Sequence, residues 1–194
     1  NANTARALPA LCDAGVRAAD SATLTAQNTW LGGSGFTHVH QFAMETNAGP
    51  TWAACRAWID VVVARFAGLS VEQKWAFPIC TTAEPIAQTL AGTHDAIILD
   101  MARAIAAAAP TGARYIDIRP GWEPNFSTSF PWGATLDGAV SATYIAGFRH
   151  VARLLRSVDT RIRIGYCPAF RLDGAYSWQD RYPGDEFVDL LTPD

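Results

Sequence analysis

Strand-like and helix-like segments alternate along most of this 194-residue chain. Short runs of β-branched and aromatic residues bounded by Gly or Pro are typical of strands, whereas apolar residues three or four positions apart are typical of helices. Strand–helix–strand alternation produces parallel strands that are covered by helices. The pattern therefore restricts the chain to the α/β fold class.

Five strands and a weaker sixth can be placed on the sequence. The strands are predicted over 36–43, 74–80, 114–119, 161–167 and 187–192, with a short one within 11–17, and the helices over 19–30, 52–66, 95–109 and 141–156. Open dinucleotide-binding sheets carry a Gly-rich phosphate turn after their first strand, and this sequence has none. Residues of chemical interest instead follow the strand ends, as in barrel enzymes. We therefore predict a (β/α)₈ barrel of the TIM type, with about the first six βα units present and residues 1–194 forming one partial catalytic domain.

Composition excludes several classes of function. The chain is 49% hydrophobic and 17% charged, with a formal net charge of −3. These values are typical of a globular protein and give no reason to expect a nucleic-acid or membrane partner. The apolar runs are too short to span a bilayer, and no basic-then-apolar leader opens the chain. Any signal peptide is therefore expected to have been removed already or never to have existed.

Cysteine and tryptophan usage leave two questions open. The four cysteines show no spacing typical of metal ligands, and free buried thiols fit the sequence as well as one or two disulfides do. The seven Trp residues exceed what a core of this size usually needs. Some of them are therefore candidates for stacking against a flat ligand such as a sugar ring.

The segment Tyr115–Asn125 (YIDIRPGWEPN) carries the clearest chemical pattern. A predicted strand runs into a Pro-Gly break, after which Trp122, Glu123 and Asn125 project from the strand end, and the aromatic run FSTSFPWG follows. A carboxylate surrounded by aromatic side chains is partly desolvated, which favours its protonated form and suits a general acid. Glu123 is therefore the candidate catalytic residue, and a solvated loop Glu between packing aromatics is the alternative of equal weight.

Four motifs in order resemble one enzyme family. The run RPGWEPN followed by FPWG resembles the strand-end motif of the β-mannanase-type glycoside hydrolases, family 26 and its relatives. The run YPGDEFVD at 182–189 is similar to the segment that leads into their sixth strand. The helix with YIAGFRH lies between these two runs, and IGYCP occupies the fifth-strand position. The order and spacing fit over residues 30–194.

This resemblance implies a retaining (β/α)₈ glycosidase of the endo-β-mannanase type that needs no cofactor and cleaves a β-linked, mannan-like polysaccharide or oligosaccharide. It makes Glu123 the general acid/base, Asn125 a contact to substrate or to the second carboxylate, and Asp194 the acidic residue that closes the sixth strand. The family's nucleophile lies at the end of the seventh strand, which this chain does not reach. A secreted protein is expected, because polymeric glycans lie outside most cells.

The sequence departs from this family at two positions. Trp122 stands where the family's mannanases carry His, as in its more distant relatives, and the strand before Asp194 lacks the usual Gly. The resemblance therefore does not fix the sugar. The further residues predicted to bind substrate are Trp122, Trp132, Trp178 and Tyr182 as stacking platforms, Tyr166 and Phe42 on the cleft floor, and Arg119 and His40 as polar contacts.

Two rival functions fit parts of the sequence. A barrel that keeps the aromatic cleft but lacks the nucleophile would be a non-catalytic carbohydrate-binding module. His38 and His40 lie two positions apart on a predicted strand, so their rings point to one side, as in metal-dependent barrel hydrolases. Such a site needs further ligands at later strand ends, and the later strands contain no His. We therefore predict no metal site.

Overall fold

The computed structural model describes residues 15–17, 21–30, 38–44, 51–67, 72–125, 130–133, 138–169 and 177–193. Within these residues, six strands form one sheet in chain order. They are β1 (Gly15–Arg17), β2 (His38–Phe42), β3 (Glu72–Phe77), β4 (Ile116–Pro120), β5 (Ile162–Tyr166) and β6 (Leu190–Leu191). Every neighbouring pair is parallel. The predicted α/β class and parallel sheet are confirmed, whereas closure into a barrel is not shown by these six strands.

Helices connect the strands, as the alternation predicts. They are α1 (Ser21–Trp30), α2 (Trp52–Arg65), α3 (Ile86–Leu90), α4 (Asp95–Ala108) and α5 (Gly138–Val158), with short 3₁₀ turns at Gln179–Arg181 and Asp185–Phe187. Helix α3 was not predicted from the sequence, because five residues are too few to show helical periodicity. Among the described helices, none is both long and apolar enough to cross a membrane.

The sheet has one apolar face and one charged face, because successive side chains of a strand point in opposite directions. In the strand register, Trp75 lies beside Ile118, which lies beside Ile164. All three are almost fully buried in the core that also contains the apolar side chains of α4 and α5. The alternate positions carry Asp117 and Arg163, which are also neighbours in the register.

Asp117 joins two cations on this charged face. Its carboxylate accepts hydrogen bonds from Arg163 Nε at 2.8 Å and Nη2 at 3.0 Å, and Lys74 Nζ lies 3.1 Å away. Burial alone would raise the pKa of Asp117, but the hydrogen bonds and charges of Arg163 and Lys74 outweigh burial and lower this pKa below its ordinary value. Asp117 is therefore held in its charged form between the two cations.

The YPGDEFVD run at 182–189 packs against helix α5. Arg149 Nε donates to the carbonyl of Pro183 at 2.7 Å, and Arg156 Nη2 donates to Asp189 at 2.8 Å. Asp189 also accepts a hydrogen bond from the backbone N–H of Ile164 in β5. Several residues of this motif therefore fix the chain leading into β6.

Three cysteines are buried and form no disulfide, namely Cys55, Cys80 and Cys167. Burial raises the pKa of the Cys55 and Cys80 thiols to about 12, so both stay protonated near neutral pH. Of the two interpretations left open by the sequence, free buried thiols hold for these three residues. Cys12 lies outside the described residues.

Candidate active site at the carboxyl end of the fourth strand

The turn after β4 depends on Gly121. Its φ is +53°, and its N–H donates to the carbonyl of Phe77 at 2.8 Å, while its own carbonyl accepts from the Tyr144 hydroxyl at 2.8 Å. A Cβ atom at this position would meet Ile79 and Tyr144 at 3.0 Å. Only glycine fits the conformation and the space together, which explains the Pro-Gly break in the sequence.

Glu123 has the conformation that most distinguishes this turn. Its φ of +49° makes it the one non-glycine residue with positive φ in the part of the chain that the structure describes. Such a conformation costs a non-glycine residue about 1–2 kcal/mol and persists only when its surroundings impose it. The Glu123 N–H donates to the carbonyl of Cys167, just beyond β5. The side chain is half-buried, although Trp122 and Pro124 on either side are buried.

The first of two aromatic clusters surrounds Trp122. Its ring lies edge-on to Phe42, Phe130 and Trp132, with centroid distances of 5.3, 5.0 and 4.6 Å. Trp132 stacks on Phe130 and donates from Nε1 to the Trp122 carbonyl at 2.8 Å. Trp122 and Trp132 are only 1% and 3% exposed, so neither presents a ring face to a sugar. Contrary to their prediction as the first stacking platforms, we assign both a supporting role in the walls of the site.

The second aromatic cluster surrounds Tyr166, the last residue of β5. Tyr166 is fully buried, with ring centroids 5.4 Å from Tyr182 and 6.4 Å from Trp178. Its hydroxyl donates to the Trp178 carbonyl at 2.6 Å, while the Tyr182 hydroxyl donates to Asp185 at 2.8 Å. Trp178 is 38% exposed and is, within the described residues, the predicted platform whose ring is most open to a ligand.

Asn125 is buried and has a structural partner. Its Nδ2 donates to the carbonyl of Ala169 at 2.9 Å, and its Oδ1 accepts from the N–H of Ala169 at 2.8 Å. The side chain thus contacts the segment after β5, and its predicted contact with substrate or with the second carboxylate stays a prediction.

Arg119 lies on β4 with only 4% of its surface exposed. Its Nη1 donates to Cys167 Sγ at 3.3 Å. The guanidinium thus lies beside Cys167, whose carbonyl accepts the hydrogen bond from the Glu123 N–H. Its predicted polar contact with substrate stays a prediction.

The remaining predicted residues lie on other strands. His40 and Phe42 are on β2, and the His38 and His40 rings are 5.2 Å apart. No group of three His, Cys, Asp or Glu side chains able to hold a metal ion occurs among the described residues. Asp194 lies outside the described residues.

Glu84, in the segment between β3 and α3, is a second half-buried glutamate, and its contacts are structural. Its Oε2 accepts from the Trp52 backbone N–H at 2.6 Å and from Thr81 Oγ1 at 3.1 Å, so it helps to satisfy the first turn of α2. The sequence gives no sign of Glu84, of the Cys167 carbonyl that accepts from the Glu123 N–H, or of the Tyr144 hydroxyl that donates to the Gly121 carbonyl. The contacts of Cys167 and Tyr144 are made with backbone groups that are distant in the sequence, and such contacts produce no recognisable sequence motif.

We predict that Gly121→Ala destabilises the fold by about 2 kcal/mol, because it combines an unfavourable φ with overpacking against Ile79 and Tyr144. Gly112→Ala is the matched control: its φ is +86°, but no atom lies within 4 Å of the added Cβ. Urea unfolding would measure both. Equal losses would show that crowding at Gly121 contributes nothing.

The fold and the site together define a parallel α/β protein with a strained carboxylate residue at a strand end. No family model matches the chain, and no curated protein matches its sequence. Among solved structures, the YdhT protein from Bacillus subtilis is similar with a TM-score of 0.66 and 14% identity, over 93% of this chain and 61% of that one. A GH26 β-mannanase from Bacteroides ovatus gives a TM-score of 0.47 and 21% identity, over 81% and 51%. The likeness to YdhT shows the fold, and this chain spans about three fifths of YdhT's length.

Proposed function

We propose that this chain is part of a glycoside hydrolase in which Glu123 is the general acid/base. The observation that carries the proposal is the conformation of Glu123, a half-buried carboxylate at positive φ just beyond the carboxyl end of a parallel strand. Sites of α/β enzymes lie at this edge of the sheet, and strained backbone clusters at functional residues. The aromatic clusters on either side supply apolar walls of the kind that line ligand sites.

The proposed reaction uses two carboxyl groups. Glu123 donates its proton to the glycosidic oxygen as the bond from that oxygen to the anomeric carbon breaks, while a second carboxylate attacks the same carbon. In the second step Glu123 removes a proton from water, whose oxygen displaces the second carboxylate from the sugar. Retention requires the two groups to lie about 5–5.5 Å apart, which the ends of different strands of a closed barrel hold rigidly. We place the second carboxylate outside the described residues.

The proposed substrate is a β-linked polysaccharide or oligosaccharide, mannan-like or related. The order of the motifs around Glu123 supports this class, and Trp178 supplies an exposed aromatic surface beyond β5. Protonation of a leaving oxygen needs no cofactor, and the proposal includes none.

The test is a hydrolysis screen of the whole protein against β-mannan, β-glucan and xylan, with release of reducing ends as the readout. We expect turnover of one or more of these polymers. Binding of an oligosaccharide without any turnover would instead support the rival carbohydrate-binding module. Absence of both binding and turnover would contradict the proposal.

We predict that Trp178→Ala weakens oligosaccharide binding roughly tenfold, because an aromatic contact contributes about 0.5–1.5 kcal/mol beyond the area that it buries. Isothermal titration calorimetry with the oligosaccharide of the preferred polymer would measure the change. Trp58→Ala is the control, since Trp58 lies on α2 with Arg65 over its ring. An unchanged Kd for Trp178→Ala would remove this ring from the site.

A further inference from the structure

We propose that Asn125 is a positioning residue that holds Glu123 in its reactive conformation. The inference rests on the proposed function of Glu123 and adds a second residue to the site. Asn125 does so without contacting the substrate, because its amide group joins the segments that follow β4 and β5 beyond the point where the strands end.

The contacts between the two segments keep the two-residue spacing of neighbouring strands, but they are shifted by one residue from the register of β4 and β5, where the Ile116 N–H donates to the Arg161 carbonyl. Ile116 of β4 pairs with Ile162 of β5. Two residues further along both strands, Ile118 pairs with Ile164. Past the strand ends, the N–H of Glu123 donates to the carbonyl of Cys167. Two residues further along both segments, the side-chain amide of Asn125 faces Ala169. The side-chain amide thus joins the two segments two residues beyond the hydrogen bond between Glu123 and Cys167.

Both hydrogen bonds of Asn125 are reciprocal and buried. Its carbonyl oxygen accepts from the Ala169 N–H and its Nδ2 donates to the Ala169 carbonyl, while Asn125 and Ala169 are 5% and 7% exposed. A buried backbone group without a partner is costly, so Ala169 and Asn125 hold each other in place. One donor and one acceptor position of the amide are therefore already used within the protein.

Glu123 depends on such external support. Its positive φ is unfavourable for a side chain with a Cβ atom, so the residue relaxes to negative φ unless neighbouring contacts prevent it. The Cys167 carbonyl fixes the N–H of Glu123, and the Asn125 clamp fixes the chain two residues later. Loss of the clamp is expected to let Glu123 rotate its carboxyl group away from the leaving oxygen, which slows proton transfer and leaves the sugar contacts unchanged.

The experiment measures kinetics of the whole protein with two aryl β-mannobiosides, one with a phenol and one with a 2,4-dinitrophenol leaving group. For Asn125→Ala we expect kcat on the phenyl substrate to fall at least tenfold, while KM changes less than twofold. The decrease should be smaller on the dinitrophenyl substrate, whose departure needs little protonation. Added azide, which attacks the glycosyl-enzyme without a general base, should restore part of that turnover.

A double-mutant cycle distinguishes positioning from an independent role. Because Asn125 acts through Glu123, Asn125→Ala should cause no further loss in a Glu123→Gln background. Asn125→Asp is the second variant, to be used if Asn125→Ala does not fold. It keeps the acceptor for the Ala169 N–H but loses the donor, so we expect its kcat to lie between those of the wild type and of a variant without the clamp. Gln88→Ala, which removes an exposed amide bonded to His94, is the control and should leave kcat unchanged.

The outcomes separate this inference from the proposed function. If Glu123→Gln abolishes turnover and both Asn125 variants retain the wild-type kcat, the positioning role is wrong and Glu123 stands. A higher KM at unchanged kcat would make Asn125 a substrate contact and would also overturn the inference. If Glu123→Gln itself retains wild-type turnover, the proposed function fails before the question about Asn125 arises.

Discussion

Replacing Glu123 with Gln is expected to lower kcat/KM on an unactivated glycoside by roughly 10²–10⁴-fold, the usual contribution of a general acid/base. Gln has nearly the same shape, so binding of oligosaccharide should change little. It cannot supply an acidic proton to the leaving oxygen or accept a proton from water. The measurement is the initial rate of reducing-end release together with the oligosaccharide Kd.

The matched control for this variant is Glu84→Gln. Glu84 is also a half-buried glutamate beyond a strand end, but its carboxylate accepts hydrogen bonds from Trp52 and Thr81. We expect this variant to lose some thermal stability while its kcat remains within twofold of wild type. Equal kinetic losses in the two variants would mean that Glu123 acts through stability, and full turnover in Glu123→Gln would remove it from the mechanism.

The second large effect is expected in the charged face of the sheet. Asp117→Ala should lower the free energy of unfolding by about 3 kcal/mol, the lower end of the cost of removing one partner from a buried ion pair. The variant leaves Arg163 and Lys74 facing each other without the carboxylate that both contact. Urea unfolding monitored by tryptophan fluorescence would measure the change.

The contribution of Asp117 should also depend on pH in a defined direction. Its folded-state pKa lies below the ordinary value of 3.8, so in acid the unfolded state binds more protons than the folded state. The stabilisation is therefore complete above about pH 4 and is lost as the pH falls through the folded-state pKa. Asp117→Ala should abolish this part of the acid sensitivity.

Asp60→Ala provides the control for both measurements. Asp60 pairs with Arg56 at 2.6 Å, but its side chain is 66% exposed, and pairs in solvent contribute about 0–1 kcal/mol. If Asp117→Ala lowers the free energy of unfolding no more than Asp60→Ala does, the ion pairs of Asp117 with Arg163 and Lys74 have no structural role.

The candidate site was only partly predictable. The sequence places Glu123 beyond a strand end, because the strand composition and the Pro-Gly break are local features. The sequence predicts that Trp122 and Trp132 stack against a sugar, whereas the structure buries both rings in an aromatic cluster. An aromatic residue beside a loop is compatible with either role. The Trp122 ring packs edge-on against Phe42, which lies on β2 and is 80 residues earlier in the sequence.

The sequence by itself determined the α/β class, the order of most strands and helices, and the identity of the candidate acid/base, because hydrophobic periodicity and turn residues act over short distances along the chain. Only the tertiary structure decided which side chains support Glu123. The positive φ, the carbonyl of Cys167 and the amide clamp between Asn125 and Ala169 all arise where the segments after β4 and β5 meet. Contacts of this kind involve backbone groups more than 40 residues apart, and a backbone group has the same chemistry whatever side chain it carries.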